Sequence, residues 1–497
     1  MNEKVSVPKD AAAVVLLKPE AQLENPEICL VERHANLRFM PGFSAFPGGK
    51  LEKSDYETAV ENCVDKDFAA LIACATRETF EETGVLLCRG GEKLTKGQRA
   101  SLHDDLCSGR EVFAEILKNW DLWLDAEDFE FVGTWITPPF SPVRFKTRFF
   151  LAVCPPKQEP FTASGELETV EFIAVKTALK KWQNGEILCA PPILNTFRIF
   201  SDGIKDDSAK KLLSLAETEG AHPRKIEFNP HFTCFPLKTK TLPPATHTNC
   251  FIVGRREFVV IDAAAREASE QTALYEFIDL IVERGGVCKG IIVSHFHQDH
   301  TGGEVDLQKH LREKFGQNVP LLAHRATAEN LPEIEFDALL QDGDKFELKD
   351  ENGESFKLET LHTPGHARGH LCFYDQEIAF LLSCDNVIGL GSVLIAPPEG
   401  NMRDYLNSLE RMRDLPNLRF LCGSHGAAAA NAREKIETYI RHRLLREQKI
   451  LAAWANGART PREIVEQVYT DVSPEVWHLA EKSVEAHLEK LKQDGLI

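Results

Sequence analysis

At 497 residues, with 43% hydrophobic and 27% charged residues, the chain has the make-up of a globular protein and the length of about three domains. Its formal net charge of −18 repels polyanions at long range, so a nucleic-acid partner would require a local basic patch. No apolar run reaches the ~18 residues that span a bilayer, no signal peptide is legible, and an odd thirteen cysteines lack CxxC pairing, so a cytoplasmic protein with no membrane partner is expected.

Residues 1–205 mix strand-like runs at 11–17, 27–32 and 148–153 with one strong helical pattern over 67–83. That helix carries Arg77-Glu78-Thr79-Phe80-Glu81-Glu82-Thr83-Gly84-Val85. Glu78 and Glu82 are four apart on one face, with Glu81 beside them, and like charges so placed repel unless cations sit between them. A solvated acidic face is the plain alternative, but the flanking Arg77 and the closing Gly84-Val85 argue against it. With the preceding Phe46-Pro47-Gly48-Gly49-Lys50, the segment resembles the Nudix box. The resemblance implies that Glu78, Glu81 and Glu82 hold Mg²⁺ or Mn²⁺ against a diphosphate, with Glu78 and Glu82 catalytic and Gly48, Gly49 and Arg77 beside the substrate. Asp55 stands where the family usually has a glutamate, and twenty-one residues separate it from Arg77, more than the plain motif allows. A Nudix subgroup that includes peroxisomal coenzyme A diphosphatases carries an insertion there. Upstream, Leu30-Val31-Glu32-Arg33-His34, then Arg38 and Gly42, resembles the coenzyme A signature of Nudix hydrolases. It implies that Arg33 and Arg38 meet phosphates of a nucleotide-type ligand, since guanidinium binds them bidentately.

Residues 206–244, helical and then punctuated by prolines, read as a linker. From 245 to 431 a second α/β pattern follows, with strands at 250–253 and 257–262, a helix over 267–283, and an apolar strand from Gly290 that runs into Ser294-His295-Phe296-His297-Gln298-Asp299-His300. His295 and His297, two apart on extended chain, point to one side, and Asp299 and His300 follow as the chain turns. Imidazole with carboxylate is the ligand mix of Zn²⁺ or a similar ion. His366 in Thr363-Pro364-Gly365-His366, Asp385 in Ser383-Cys384-Asp385-Asn386 and His425 in Gly423-Ser424-His425-Gly426 each lie where an apolar run releases into a loop. This order of ligands, with nineteen residues from His366 to Asp385, resembles that of the metallo-β-lactamase superfamily. The resemblance implies an αββα sandwich holding two Zn²⁺ ions. His295, His297 and His366 would hold one, Asp299, His300 and His425 the other, and Asp385 would bridge them. Two metals that close hold a hydroxide nucleophile between them, which Asp299 also orients as a catalytic residue.

The last block, 432–497, reads as helical. Thr460-Pro461-Arg462-Glu463 has the form of a capping box, Ser473-Pro474 opens another helix, and Gly495 stops it. Short helices so joined suggest a small winged helix. Arg441-His442-Arg443 with Arg446-Glu447-Gln448-Lys449 resembles the junction between catalytic domain and winged helix in the β-lactamase-like endoribonuclease group. That implies single-stranded RNA as the partner at the histidine cluster. From Ile440 onward nine Lys or Arg face nine Asp or Glu, which disfavours a duplex-DNA regulator. The fold class expected is therefore a multidomain α/β and α+β chain, a Nudix α/β/α sandwich followed by the αββα sandwich and its winged helix. Its function is read as a metal-dependent bifunctional hydrolase. The alternative is a glyoxalase II-like or acyl-CoA thioesterase whose Nudix half binds or senses coenzyme A.

Overall fold

The computed structural model describes residues 6–19, 23–35, 37, 40–139, 141–162, 165–221, 224–389 and 391–497, and these form two compact units, 1–229 and 230–497. In the first, the strand Lys9–Leu17 is the spine of the sheet. It pairs in parallel with Phe145–Val153 along its whole length and receives Gly48–Lys50 antiparallel, with Ala13 opposite Gly48. Its side chains alternate between two cores. Ala12, Val14 and Leu16 pack with Leu71, Ile72, Cys74 and Ala75 of the helix Lys66–Thr83, while Ala13 and Val15 pack with Leu194, Phe197 and Phe200 on the other face. Both faces of the strand are covered, which explains why it reads as a continuous apolar run.

The expected linker is a difference between sequence and structure. Residues 208–219 form the helix Ser208–Glu219, whose Leu212 and Ala216 belong to the core of the first unit. It lies so close to the sheet that a Cβ on Gly133 would stand 2.2 Å from that of Ala216. Further on, Phe232–Lys238 is a strand of the second unit, paired residue by residue with His247–Gly254. Prolines and short polar stretches suggested a connector, but amphipathic packing and strand pairing absorb most of it.

In the second unit two sheets face each other. One runs from Phe232–Lys238 through His247–Gly254, Glu257–Ile261, Val287–Val293 and Leu321–His324 to Ala338–Leu340. The other has five strands, Lys345–Lys349, Ser355–His362, Leu371–Asp375, Phe380–Cys384 and Phe420–Gly423. The helices Ala268–Glu283 and Glu304–Phe315 cover the first sheet, and Met402–Arg413 and Ala432–Ala455 cover the second, an αββα sandwich. The turns that leave Val287–Val293, Ser355–His362, Phe380–Cys384 and Phe420–Gly423 carry the histidines and aspartates singled out above.

The helix Ala432–Ala455 crosses the boundary expected at its start. Ala432, Ile436, Tyr439 and Ile440 pack in the core of the second sheet, whereas Ile450 and Ala453 pack with Ile464, Val465, Val484 and Leu488 of the terminal helices Pro461–Val468 and Trp477–Gln493. The capping box is formed in full: the Thr460 hydroxyl accepts from the Glu463 N–H, and the Glu463 carboxylate accepts from the Thr460 N–H. Thr460→Ala should cost about 1 kcal/mol locally, read as faster amide exchange over 461–468. Unchanged exchange there would mean that the cap contributes nothing.

Candidate active sites

The chemistry of the second unit begins at Asp262, which ends the strand Glu257–Ile261 with φ of 57°. Its fully buried carboxylate accepts from the Ser294 backbone N–H at 2.8 Å, from the Ser294 hydroxyl at 2.7 Å and from His300 Nδ1 at 2.8 Å. The neighbouring strand Val287–Val293 is thereby turned at its exit, and His300 is left with Nε2 facing inward. His295 Nδ1 meets the Ser294 hydroxyl at 3.0 Å, and its Nε2 lies 3.0 Å from His297 Nδ1. His366 Nδ1 lies 2.9 Å from the Leu394 carbonyl and His425 Nδ1 2.9 Å from that of His247. A carbonyl accepts only from a protonated Nδ1, so both histidines turn Nε2 inward. Asp385 is set by its own N–H, which donates to His370 Nε2 at 3.0 Å.

The predicted ligands converge. The donor atoms of His295, His297 and His366 lie within 4.8 Å of one another, and so do those of Asp299, His300 and His425. Asp385 Oδ2 stands 3.5 Å from His300 Nε2 and 3.6 Å from His366 Nε2, and its Oδ1 is 3.4 Å from His425 Nε2, so it lies between the two groups. His300 Nε2, His366 Nε2 and Asp385 Oδ1 are buried without hydrogen-bond partners. Orphaned donor atoms directed at one small space fit divalent cations, and this donor set suits zinc among others.

The electrostatics agree. Burial drives His295 well below the ordinary imidazole range, and His297 down to about 3. Burial acts in the same direction on His300 and His425, but it is outweighed. Asp385, Asp299 and Asp262 hold His300 well above the ordinary range, and Asp385 and Asp299 raise His425 to about 10. The carboxylates therefore retain protons on two imidazoles where cations would otherwise sit. Three contributors were not singled out from sequence: Asp262, His370 and the Leu394 carbonyl. His370 falls four residues after His366, a spacing that was available as a signal, but the carbonyl had none.

In the first unit the helix Lys66–Thr83 holds its carboxylates differently. Arg77 is buried, and its guanidinium makes a two-pronged pair with Asp55, Nε to Oδ1 at 2.8 Å and Nη2 to Oδ2 at 3.0 Å. From the turn Ser54–Glu57, which holds Asp55, the chain passes through the short strand Val60–Glu61 and then runs down the helix from Lys66 to Arg77, so the insertion leaves this pair intact. Arg77 Nη1 also reaches Glu78 at 2.9 Å and Glu81 at 3.1 Å. Glu82 accepts from the Gly48 N–H at 2.9 Å, and a Cβ on Gly49 would stand 2.4 Å from the Glu78 carboxyl. Gly49 is thus demanded by the approach of Glu78, and Gly48 by the neighbouring strand, where a Cβ would stand 2.3 Å from the Ala12 carbonyl oxygen. Burial pushes Glu78 up to about 7 and Glu82 up to about 8, with Arg33 partly offsetting the rise at Glu82. Arg38 lies outside the described residues.

Because protons occupy His300 and His425 in the absence of a cation, metal loading should release protons. Zn²⁺ affinity should climb as pH rises toward about 10, the value at His425. Chelator competition at several pH values measures this, and an affinity independent of pH would contradict the charge arrangement.

Comparison with known proteins follows the same division. Residues 243–425 match the family model of the metallo-β-lactamase superfamily, 460–497 that of the β-lactamase associated winged helix domain, and 57–199 that of the NUDT19 Nudix domain. The lactamase-like protein adaB of Aspergillus niger is 28% identical over 265 residues, 50% of this chain and 75% of that protein. An atrochrysone carboxyl ACP thioesterase of Pseudocercospora fijiensis is 29% identical over 266 residues, 50% of this chain and 71% of its own length. Among solved structures, a Nudix hydrolase from Alicyclobacillus acidocaldarius is 31% identical, with 41% of this chain and 97% of that one covered at a TM-score of 0.36. The chain thus joins a Nudix domain, a metallo-β-lactamase-superfamily domain and a β-lactamase-associated winged helix, and its two larger domains belong to hydrolase families.

Proposed function

We propose that the chain hydrolyses coenzyme A-type substrates at two sites, an acyl thioester at the histidine–aspartate cluster and a diphosphate at the glutamate helix. The observation that carries the first assignment is the fate of the basic stretch expected to meet RNA. Of its four cations, Arg443 and Arg446 are buried, the first bonded to the Val393 carbonyl and the second to the Val468 carbonyl and Asp471. A phosphodiester chain would find only Arg441 and Lys449 exposed there, on a protein of net charge −18. The likeness to a thioesterase and the Nudix match point the same way.

His295, His297, His366, Asp299, His300, Asp385 and His425 would hold two divalent cations, which would supply an activated water and polarise the thioester carbonyl. The chain's own part is to keep that water oriented and to take up its proton. Asp299 is the more exposed of the two carboxylates, and although burial raises its pKa, His300 and His425 outweigh this and keep it ionised. Attack of water on the carbonyl carbon breaks the C–S bond, giving a carboxylate and a thiol. At the other site Glu78, Glu81 and Glu82 would hold Mg²⁺ or Mn²⁺, with Arg33 set near Glu82 toward phosphate.

Single-stranded RNA remains the second reading, favoured by the winged-helix match. Purified protein with Zn²⁺ or Mg²⁺, assayed against acyl-CoA, coenzyme A and single-stranded RNA, separates the two. Asp385→Ala should lower thioester hydrolysis at least about 100-fold and leave diphosphate cleavage intact. Glu82→Gln should do the reverse. RNA cleavage lost in Asp385→Ala, with acyl-CoA untouched by the parent protein, would replace the thioester assignment. Diphosphate binding without turnover would make the Nudix half a sensor. At limiting Mg²⁺, diphosphate turnover should rise with pH through about 7 to 8 as Glu78 and Glu82 ionise, and saturating Mg²⁺ should flatten the rise. A fall in turnover over that range would show that the protonated glutamates are the working form.

A further inference from the structure

Tyr439 and Arg443 stand one helical turn apart on the helix Ala432–Ala455, outside the ligand loops, yet both are buried and both point at the segment after Asp385. The Tyr439 hydroxyl lies 3.0 Å from the Ile388 carbonyl and 2.9 Å from that of Gly391, and it accepts from the Ile388 N–H at 3.3 Å. Arg443 donates to the Val393 carbonyl, the residue before Leu394. Its guanidinium carbon lies 5.3 Å from the Tyr405 ring, and the Tyr405 hydroxyl donates to the Asn386 carbonyl at 2.7 Å. The same segment touches two metal-ligand residues directly. The Leu394 carbonyl accepts from His366 Nδ1, and the Gly389 N–H donates to the His425 carbonyl at 2.7 Å.

Arg443 carries the argument furthest. It is 4% exposed, no carboxylate pairs with it among the described residues, and its Nε has no hydrogen-bond partner. A buried cation compensated only by a carbonyl and an aromatic face is poor for stability, so its presence points to what it holds. Tyr439 adds a second hold through one oxygen, which accepts from the Ile388 N–H and shares its single proton between the Ile388 and Gly391 carbonyls. Both side chains fix the backbone that sets the ring orientation of His366.

We propose that Tyr439 and Arg443 are positioning residues for the metal centre: the helix leading into the terminal helices clamps residues 386–389 and 391–395, and through the Leu394 carbonyl it orients His366. This rests on reading the histidine–aspartate cluster as a metal centre.

Zn²⁺ dissociation constants measured by chelator competition, with the visible spectrum of the Co²⁺-loaded protein, test this in Tyr439→Phe, Arg443→Met and Arg446→Met. Near-UV circular dichroism verifies folding in each. Tyr439→Phe removes one oxygen and Arg443→Met one charge. In each, one of the two constants should rise about tenfold to 100-fold with an altered Co²⁺ spectrum, while the other stays at the parent value. Arg446→Met, whose partners Val468, Asp471 and Tyr469 all lie outside the clamped segment, should leave both constants unchanged. The clamp is overturned if folded Tyr439→Phe binds both ions as the parent does, or if Arg446→Met weakens binding equally, since general loosening would then explain the loss. Should Arg443→Met fail to fold, Tyr439→Phe decides the matter. Failure of the parent protein to bind Zn²⁺ or Co²⁺ at all would instead remove the metal-centre reading itself.

Discussion

The buried carboxylate of Asp262 is the constraint on which the second unit's chemistry depends. It is fully enclosed, and it satisfies itself with the backbone N–H and hydroxyl of Ser294 and the Nδ1 of His300. A buried charge without such partners would be costly, and with them it locks the exit turn of the neighbouring strand. His295, His297, Asp299 and His300 all leave that strand within six residues, so one anchor places four donors. His366 and His425, arriving from the other sheet, are held by backbone carbonyls instead. The cluster has carboxylates enough to keep protons on His300 and His425 when no cation is there to share them.

The first unit solves a related problem with a guanidinium. Its helix crowds Glu78, Glu81 and Glu82 against a glycine loop, where burial and mutual repulsion penalise their charges. Arg77, paired with Asp55, supplies a fixed positive charge that touches Glu78 and Glu81 but not Glu82. Glu82, turned to the Gly48 N–H, is the carboxylate most dependent on something else to stabilise its charged form.

Between fold and function stands the helix Ala432–Ala455. A run of arginines at its middle looks, on the page, like an electrostatic footprint. In the folded chain the first half of the helix packs in the core of the sandwich and its second half in the core of the terminal helices, and two of those arginines fall on the buried positions. Their guanidinium groups then bond to carbonyls within the protein, and the surface left behind carries little positive charge.

The residues of the histidine–aspartate cluster and their order, the glutamate helix with its glycine loop, the capping box at Thr460 and the α/β character of both large blocks were legible in the sequence. Each rests on local chemistry: donor type, spacing along a strand or helix, and a backbone need that only glycine or a hydroxyl meets. Tertiary structure alone decided the rest. Whether the long stretch of twenty-one residues would part Asp55 from Arg77 depended on the chain closing back on itself. Whether 206–244 would be a connector depended on a helix finding Gly133, and whether Arg443 and Arg446 would face solvent depended on which cores their helix joined. Those outcomes come from contacts between residues distant in the chain, and neither composition nor periodicity records them.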